Sequence, residues 1–297
     1  MCIRDSANYA AIYTNNSVCS ESITWNRNIR KKFIKALLVN TKNANTFTGP
    51  NGQEQLQTIS KSLAKNLTLK EAQKEDGTTN VIRPNEILFA STGVIGEKFP
   101  TQQIKGSLLN LVDKLREKQN KFVWFKAASA IMTTDTKPKL AFEECHIGNK
   151  VVKISGVAKG SGMIAPNMAT MLAFIFTDAA ISKSGLQTLL NETTEKTFNS
   201  ITVDSDTSTN DAVLAFSTGM AGNNNNFSIE AKELQSFRSA FQNVMLDLAH
   251  QIVRDGEGAS KFVEITISGA DNNVSARAIG LETVSYTHLT LPTSDLV

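Results

Sequence analysis

A threonine that ends a glycine-rich stretch and opens an apolar run is the most chemically suggestive feature of this chain. Residues 159–177 read KGSGMIAPNMATMLAFIFT. Gly160 and Gly162 permit a tight backbone and the close approach of a ligand, while Pro166 prevents a helix from running through. Small Ala169 precedes Thr170, and the continuous apolar run that follows is the mark of a strand buried on both faces. A threonine hydroxyl is a poor nucleophile until a base takes its proton. One solution is the residue's own α-amine, freed when the preceding peptide bond breaks. That amine titrates near ~7.7–8.0 in unstructured peptides, so it accepts a proton at neutral pH. No His or Cys lies within the stretch to serve instead. Spacing alone favours an ordinary strand-start threonine with good β propensity.

Other chemistries compete for the same residues. Gly160-Ser161-Gly162-Met163-Ile164-Ala165 fits the dinucleotide fingerprint, with Asp178 near the expected acidic position, and would make the chain a nucleotide-binding oxidoreductase. That motif needs a helix N-terminus aimed at the pyrophosphate, and Pro166 with the strand behind it leaves no room for one. Asp204, Asp206 and Asp211 in VDSDTSTND invite a calcium-loop reading, but the following Gly and the closing Glu of such a loop are absent. Cys2, Cys19 and Cys145 form neither a disulfide framework nor a paired metal spacing, and His146, His250 and His288 are scattered. No metal and no cofactor is therefore expected; His146 reads as an exposed turn residue and His250 as a helix-end residue. The 31 basic and 28 acidic residues leave a net charge of +3, too weak to suggest nucleic acid. No run approaches the ~18 apolar residues of a membrane span. A cytoplasmic enzyme or binding protein is what these exclusions leave.

The elements that must position Thr170 alternate irregularly between strands and helices, an α/β (α+β) pattern. Ala10–Tyr13 and Ser22–Trp25 read as short strands, and 33–40 (FIKALLVN) as an apolar segment ending in an Asn/Thr/Gly-rich loop. Leu56, Ile59, Leu63 and Leu67 recur at helical spacing. EILFA at 86–90 is a short buried strand running into Ser91-Thr92-Gly93. A helix with Ile104, Leu108, Leu111, Val112 and Leu115 on one face follows Pro100. Residues 150–157 alternate like a strand, and Ser182 can cap a helix carrying Leu186, Leu189 and Leu190. The polar stretch 222–226 (GNNNN) is the best domain boundary. Beyond it come a strong helix through Leu234, Phe237, Phe241, Val244, Leu248 and Ile252, and an alternating strand through Val263, Ile265 and Ile267. Met1–Ser6 and Ser285–Val297 carry no helix or strand pattern and resemble translated adaptor sequence, so the natural protein is expected to be longer at both ends.

The segment KGSGMIAPNMATMLAFIFTDA closely resembles the self-cleavage segment of the glutamate N-acetyltransferase (ornithine acetyltransferase) family of arginine biosynthesis. The resemblance extends, in family order, to YTNN (13–16), NANTFTGPNG (43–52), STGVIGEKFP (91–100), IMTTDTKPK (131–139), ITVDSDTSTND (201–211) and RDGEGASKF (254–262). It implies a layered α/β sandwich of the N-terminal-nucleophile type over 7–221, then the start of a smaller C-terminal α/β domain at 227–283. It implies self-cleavage between Ala169 and Thr170, α and β chains that stay associated as α2β2, and Thr170 as nucleophile. The acetyl group would pass from N-acetylornithine to glutamate through an ester; acetyl-CoA is a second donor in some relatives. Thr92 and Gly93 match the family's oxyanion-stabilising pair, and Thr133, Lys159 and Glu257 its substrate-binding positions. Thr134 adjoins Thr133, and the sequence leaves open which faces the site. An N-terminal-nucleophile amidase or aminopeptidase and an inactive fragment are the rival readings. Lys42 stands where many relatives carry Gly, and Ser205 does likewise.

Overall fold

The computed structural model describes residues 2–72, 80–115, 120–162, 164, 171–203 and 208–287. Its strands are β1 (Cys2–Tyr13), β2 (Phe33–Asn40), β3 (Ile87–Ser91), β4 (Lys139–Ile147), β5 (Lys150–Lys159), β6 (Leu172–Thr177) and β7 (Ala212–Ser217). Its helices are α1 (Glu21–Arg27), α2 (Pro50–Glu71), α3 (Thr101–Asp113), α4 (Lys121–Ala130), α5 (Lys183–Lys196), α6 (Gln235–Arg254) and α7 (Asn273–Thr287). The strands form one mixed sheet in the order β3-β2-β1-β7-β6-β5-β4. β2–β3 and β6–β7 pair in parallel; the other four pairs are antiparallel.

Strand alternation sorts the core into layers. Ala173 and Ile175 of β6 and Val213 and Ala215 of β7 face α5 and α6, where Leu186, Leu190, Phe237, Phe241, Val244 and Leu248 are buried. Ile87 and Phe89 of β3 meet Leu56, Ile59 and Leu63 of α2 and Leu108 and Val112 of α3. The opposite face carries Phe174, Phe176, Leu214 and Phe216 with Trp124 and Ala128 of α4. There the Phe176 and Phe216 rings stack at 5.0 Å. Each such side chain contributes about 1.5–3 kcal/mol by leaving water. This is the expected α/β class in layered form, and α6, beyond the 222–226 stretch, shares its core with the main sheet.

Four local expectations need correction. Ser22–Trp25 is helical, not a strand: Ser20 caps α1, its hydroxyl accepting the Ile23 N–H at 3.4 Å. Tertiary bonds then override β-branched propensity, because Asn26 both donates to Phe89 O (2.7 Å) and accepts from Phe89 N (2.9 Å) and so covers edge strand β3. Val263–Ile267 has no regular structure and is largely exposed; among the described residues no strand lies beside it to pair with. Cys2–Ser6 belongs to β1, and Ser285–Thr287 to the end of α7. His146 lies within β4, not in a turn. Residues 288–297 lie outside the described residues.

Candidate active site

Lys159 ends β5, and its ammonium is buried, 2% exposed. Nζ donates to Thr133 Oγ1 at 2.7 Å and to Thr92 Oγ1 at 3.2 Å, while Asp135 Oδ2 stays at 3.9 Å. It thus ties the end of β5 to the end of β3, although four strands separate them in the sheet. Burial drives the Lys159 pKa below its ordinary value; Asp135, Asp211 and Glu257 oppose the shift, and Lys139 adds to it. Thr133 is therefore the threonine turned towards Lys159, whereas the Thr134 hydroxyl meets Ser161 Oγ at 2.8 Å.

Thr92 is 5% exposed and follows β3 directly. Gly93, at φ 130°, lies so close to the preceding loop that a Cβ would sit 2.2 Å from the Lys42 carbonyl carbon. Only glycine fits there. The loop 40–49 is itself braced: Asn210 Nδ2 donates to Ala44 O (2.7 Å) and Ser91 O (2.8 Å), and Asn43 Nδ2 reaches Glu97 O and Lys98 O, each at 3.3 Å. A threonine hydroxyl and a backbone N–H held rigidly at a strand end can stabilise a developing oxyanion.

Asp135 is the pivot of the site. Its carboxylate accepts from Lys139 Nζ (2.7 Å), Gly160 N (2.6 Å) and Thr133 N (3.1 Å). Burial alone would raise its pKa, but the Lys139 bond, the Gly160 N–H and the two lysine charges hold it below the ordinary value. Lys139, 1% exposed, also donates to Asp255 Oδ2 at 2.6 Å. Asp255 closes the end of α6 and further accepts from Thr136 N at 3.0 Å. Two residues on, Glu257 donates its N–H to Ser161 O at 2.6 Å, and its carboxylate packs over Gly162, where a Cβ would meet it at 2.7–2.9 Å. Lys159 and Thr92 form the floor; Gly93, Thr133 and Glu257 are exposed at the rim.

Ala169 and Thr170 lie outside the described residues, as do Asp204, Ser205 and Asp206. The next residue in the chain, Met171, is fixed: its N–H donates to Asp211 Oδ1 at 2.7 Å, and its carbonyl accepts from Ala212 N at 3.2 Å. Asp211 is fully buried, and burial raises its pKa well above the ordinary carboxylate value despite Met171 and Lys159. Its carboxyl thus serves the start of β6, a different task from the cation loop weighed above. Among the described residues, no group of three His, Cys, Asp or Glu side chains is placed to hold a metal, and no helix is long and apolar enough to cross a membrane.

The structure brings Thr92, Gly93, Thr133, Lys159 and Glu257 to one region. Sequence reasoning did not single out Asp135, Lys139 or Asp255. Their only local signal is the Asp135–Lys139 spacing of four residues; Asp255 joins them from 116 residues beyond Lys139.

The model of the ArgJ family matches residues 1–290. The arginine biosynthesis bifunctional protein ArgJ of Rhizobium meliloti is 44% identical over 279 residues, covering 93% of this chain and 63% of that protein. Its counterpart in Gluconobacter oxydans is 42% identical over 273 residues, covering 92% and 60%. The chain thus spans 60–63% of the length of these curated relatives. Among solved structures, the ArgJ protein of Bacillus halodurans is 25% identical, covering 57% of this chain and 95% of that one, at a TM-score of 0.44. The ornithine acetyltransferase of Mycobacterium tuberculosis, solved with ornithine, is 25% identical, covering 55% and 77%, at a TM-score of 0.42.

Proposed function

The chain belongs to the ArgJ family, and on that premise we propose that it is the core of a self-cleaving acetyltransferase acting in arginine biosynthesis. The hydroxyl of Thr170 attacks the carbonyl of Ala169, the amide C–N bond gives way to an ester, and water hydrolyses that ester. Thr170 then begins a β chain that stays with its α chain, in an α2β2 assembly.

The freed α-amine accepts the hydroxyl proton as Thr170 attacks the acetyl carbonyl of N2-acetyl-L-ornithine, and the same proton leaves on the ornithine amine. The amine of L-glutamate attacks the resulting acetyl ester, and Thr170 recovers its proton. Thr92 Oγ1 and the Gly93 N–H stabilise the oxyanion in both halves. Because the Thr92 oxygen accepts a bond from a cationic lysine, its own O–H is polarised towards the substrate. Lys159 and Thr133 receive the amino-acid carboxylate, and Glu257 answers an amino group from the rim.

The observation that carries this reading is the Lys159 ammonium, buried and bonded to the hydroxyls of both Thr92 and Thr133. It draws the residues proposed for the oxyanion and for the substrate into one cluster. Incubating the protein with N-acetylornithine, with and without glutamate, tests it: N-acetylglutamate should form only when both are present. Acetate in place of N-acetylglutamate would assign a hydrolase.

A further inference from the structure

Two lysines compete for one buried carboxylate beside this site. Asp135 gives Oδ1 to Lys139 at 2.7 Å and leaves Oδ2 at 3.9 Å from Lys159, beyond hydrogen-bond reach. Lys139 is itself fixed on both sides, since Asp255 Oδ2 takes it at 2.6 Å and Lys137 O at 3.3 Å. Asp135 is occupied from other directions too, by the N–H groups of Gly160 and Thr133. The Lys159 ammonium therefore spends its hydrogen bonds on two neutral hydroxyls, while its nearest carboxylate stands off as a long ion pair at 3.9 Å.

We propose that Lys139 is a positioning residue for Lys159. By saturating Asp135, it keeps the Lys159 ammonium out of hydrogen-bond contact with that carboxylate and turned onto Thr92 and Thr133. It is then ready for the carboxylate of an amino-acid substrate. A cation so buried and so weakly compensated gains most from an incoming anion. The same clamp sets the opposite charge, because Asp255 lies two residues before Glu257 and the Glu257 N–H is anchored on Ser161 O. One ammonium thus holds the cationic and anionic halves of an amino-acid pocket in register. The use of that pocket rests on the function proposed above; the electrostatic relation between the two lysines does not.

The charged groups facing Lys159 are Asp135, Lys139, Asp211 and Glu257. Without Lys139, Asp135 loses its hydrogen-bonded cation and closes on Lys159, and a repelling charge disappears. Both changes raise the Lys159 pKa; with Lys139 present it lies below the ordinary 10.5.

The test follows the Lys159 Cε resonance against pH in 13C-lysine-labelled protein, assigned by its loss in Lys159→Arg. Wild type should titrate below 10.5, and Lys139→Gln upward of it by about one pH unit or more. Lys139→Arg, which keeps the cation, should remain low. So should Asp255→Asn, which releases Lys139 wholly to Asp135. A wild-type Lys159 titrating at or above the ordinary value, or an upward shift in Asp255→Asn, would overturn the proposal; both readings stand even where Lys139→Gln does not fold. On the functional side, Lys139→Gln should raise KM for glutamate at least tenfold, with a smaller change in kcat. A moved titration with an unmoved KM would leave the lysine relation intact and remove Lys159 from substrate recognition.

Discussion

Under the proposed function, Thr92 and Lys139 act separately at the level of single side chains, and each gives its own expectation. Thr92→Val keeps the shape at the end of β3 but removes the hydroxyl that accepts from Lys159 at 3.2 Å. It should cut kcat for acetyl transfer by about 100-fold or more, as losing one oxyanion donor does elsewhere, with little change in the thermal midpoint. Lys139→Met removes the cation that Asp135 and Asp255 share, leaving Asp255 unpaired and Asp135 with Lys159 alone. Breaking such a pair costs about 3–5 kcal/mol, measurable by denaturant unfolding at neutral pH. Both aspartates are held below their ordinary 3.8 in the folded protein. Their contribution to wild-type stability is therefore present above that pH and lost as pH falls through their folded values. The deficit of Lys139→Met should accordingly shrink on acidification, since protonated aspartates no longer need the cation. A deficit independent of pH would assign the loss to packing alone. Thr92, Gly93, Thr133, Lys159 and Glu257 became legible through the order of family motifs; no spacing rule reveals Asp135, Lys139 and Asp255, because a buried ion cluster is assembled from distant parts of the chain.

Elements bring these side chains together through short, constrained connections. The 40–49 loop that braces Gly93 includes three non-glycine residues at positive φ: Lys42 (70°), Asn45 (51°) and Phe47 (57°). Asparagine tolerates that region and lysine does not. Lys42→Gly should therefore stabilise the fold by about 0.5–1 kcal/mol, read from the denaturation midpoint at unchanged m-value. An unchanged or lowered midpoint would contradict the assigned strain. At the far end of the site, Gly162→Ala pushes on the Glu257 carboxylate, the mobile end of a side chain. Its thermal midpoint should hold while kcat/KM falls; the reverse pattern would mean that Gly162 matters for packing and not for Glu257. Helices with regular apolar spacing, such as α2 and α6, were legible because periodicity reports burial directly. The error at Ser22–Trp25 arose because α1 is held by Trp25 and Asn26 bonding across to β3, a tertiary cause. At Val263–Ile267, alternation without a neighbouring strand was not enough.

The whole molecule is a layered α/β body in which β6, one half of the parallel pair β6–β7, starts at Leu172, two residues after Thr170 in the sequence. Leu172 stands opposite Ala212 in that pair, so Asp211 reaches Met171 from one register position earlier. The class of fold was legible in the alternation of strands and helices; the order β3-β2-β1-β7-β6-β5-β4 was not, because pairing across long sequence separations leaves no local pattern. Thr170 as nucleophile and cleavage point is tested by denaturing mass spectrometry of the protein incubated with N-acetylornithine alone. Two chains, 1–169 and 170–297, are expected, with a single acetyl group on the Thr170 side chain that disappears when glutamate is added. A folded chain that stays uncut, or an acetyl group carried elsewhere, would contradict it.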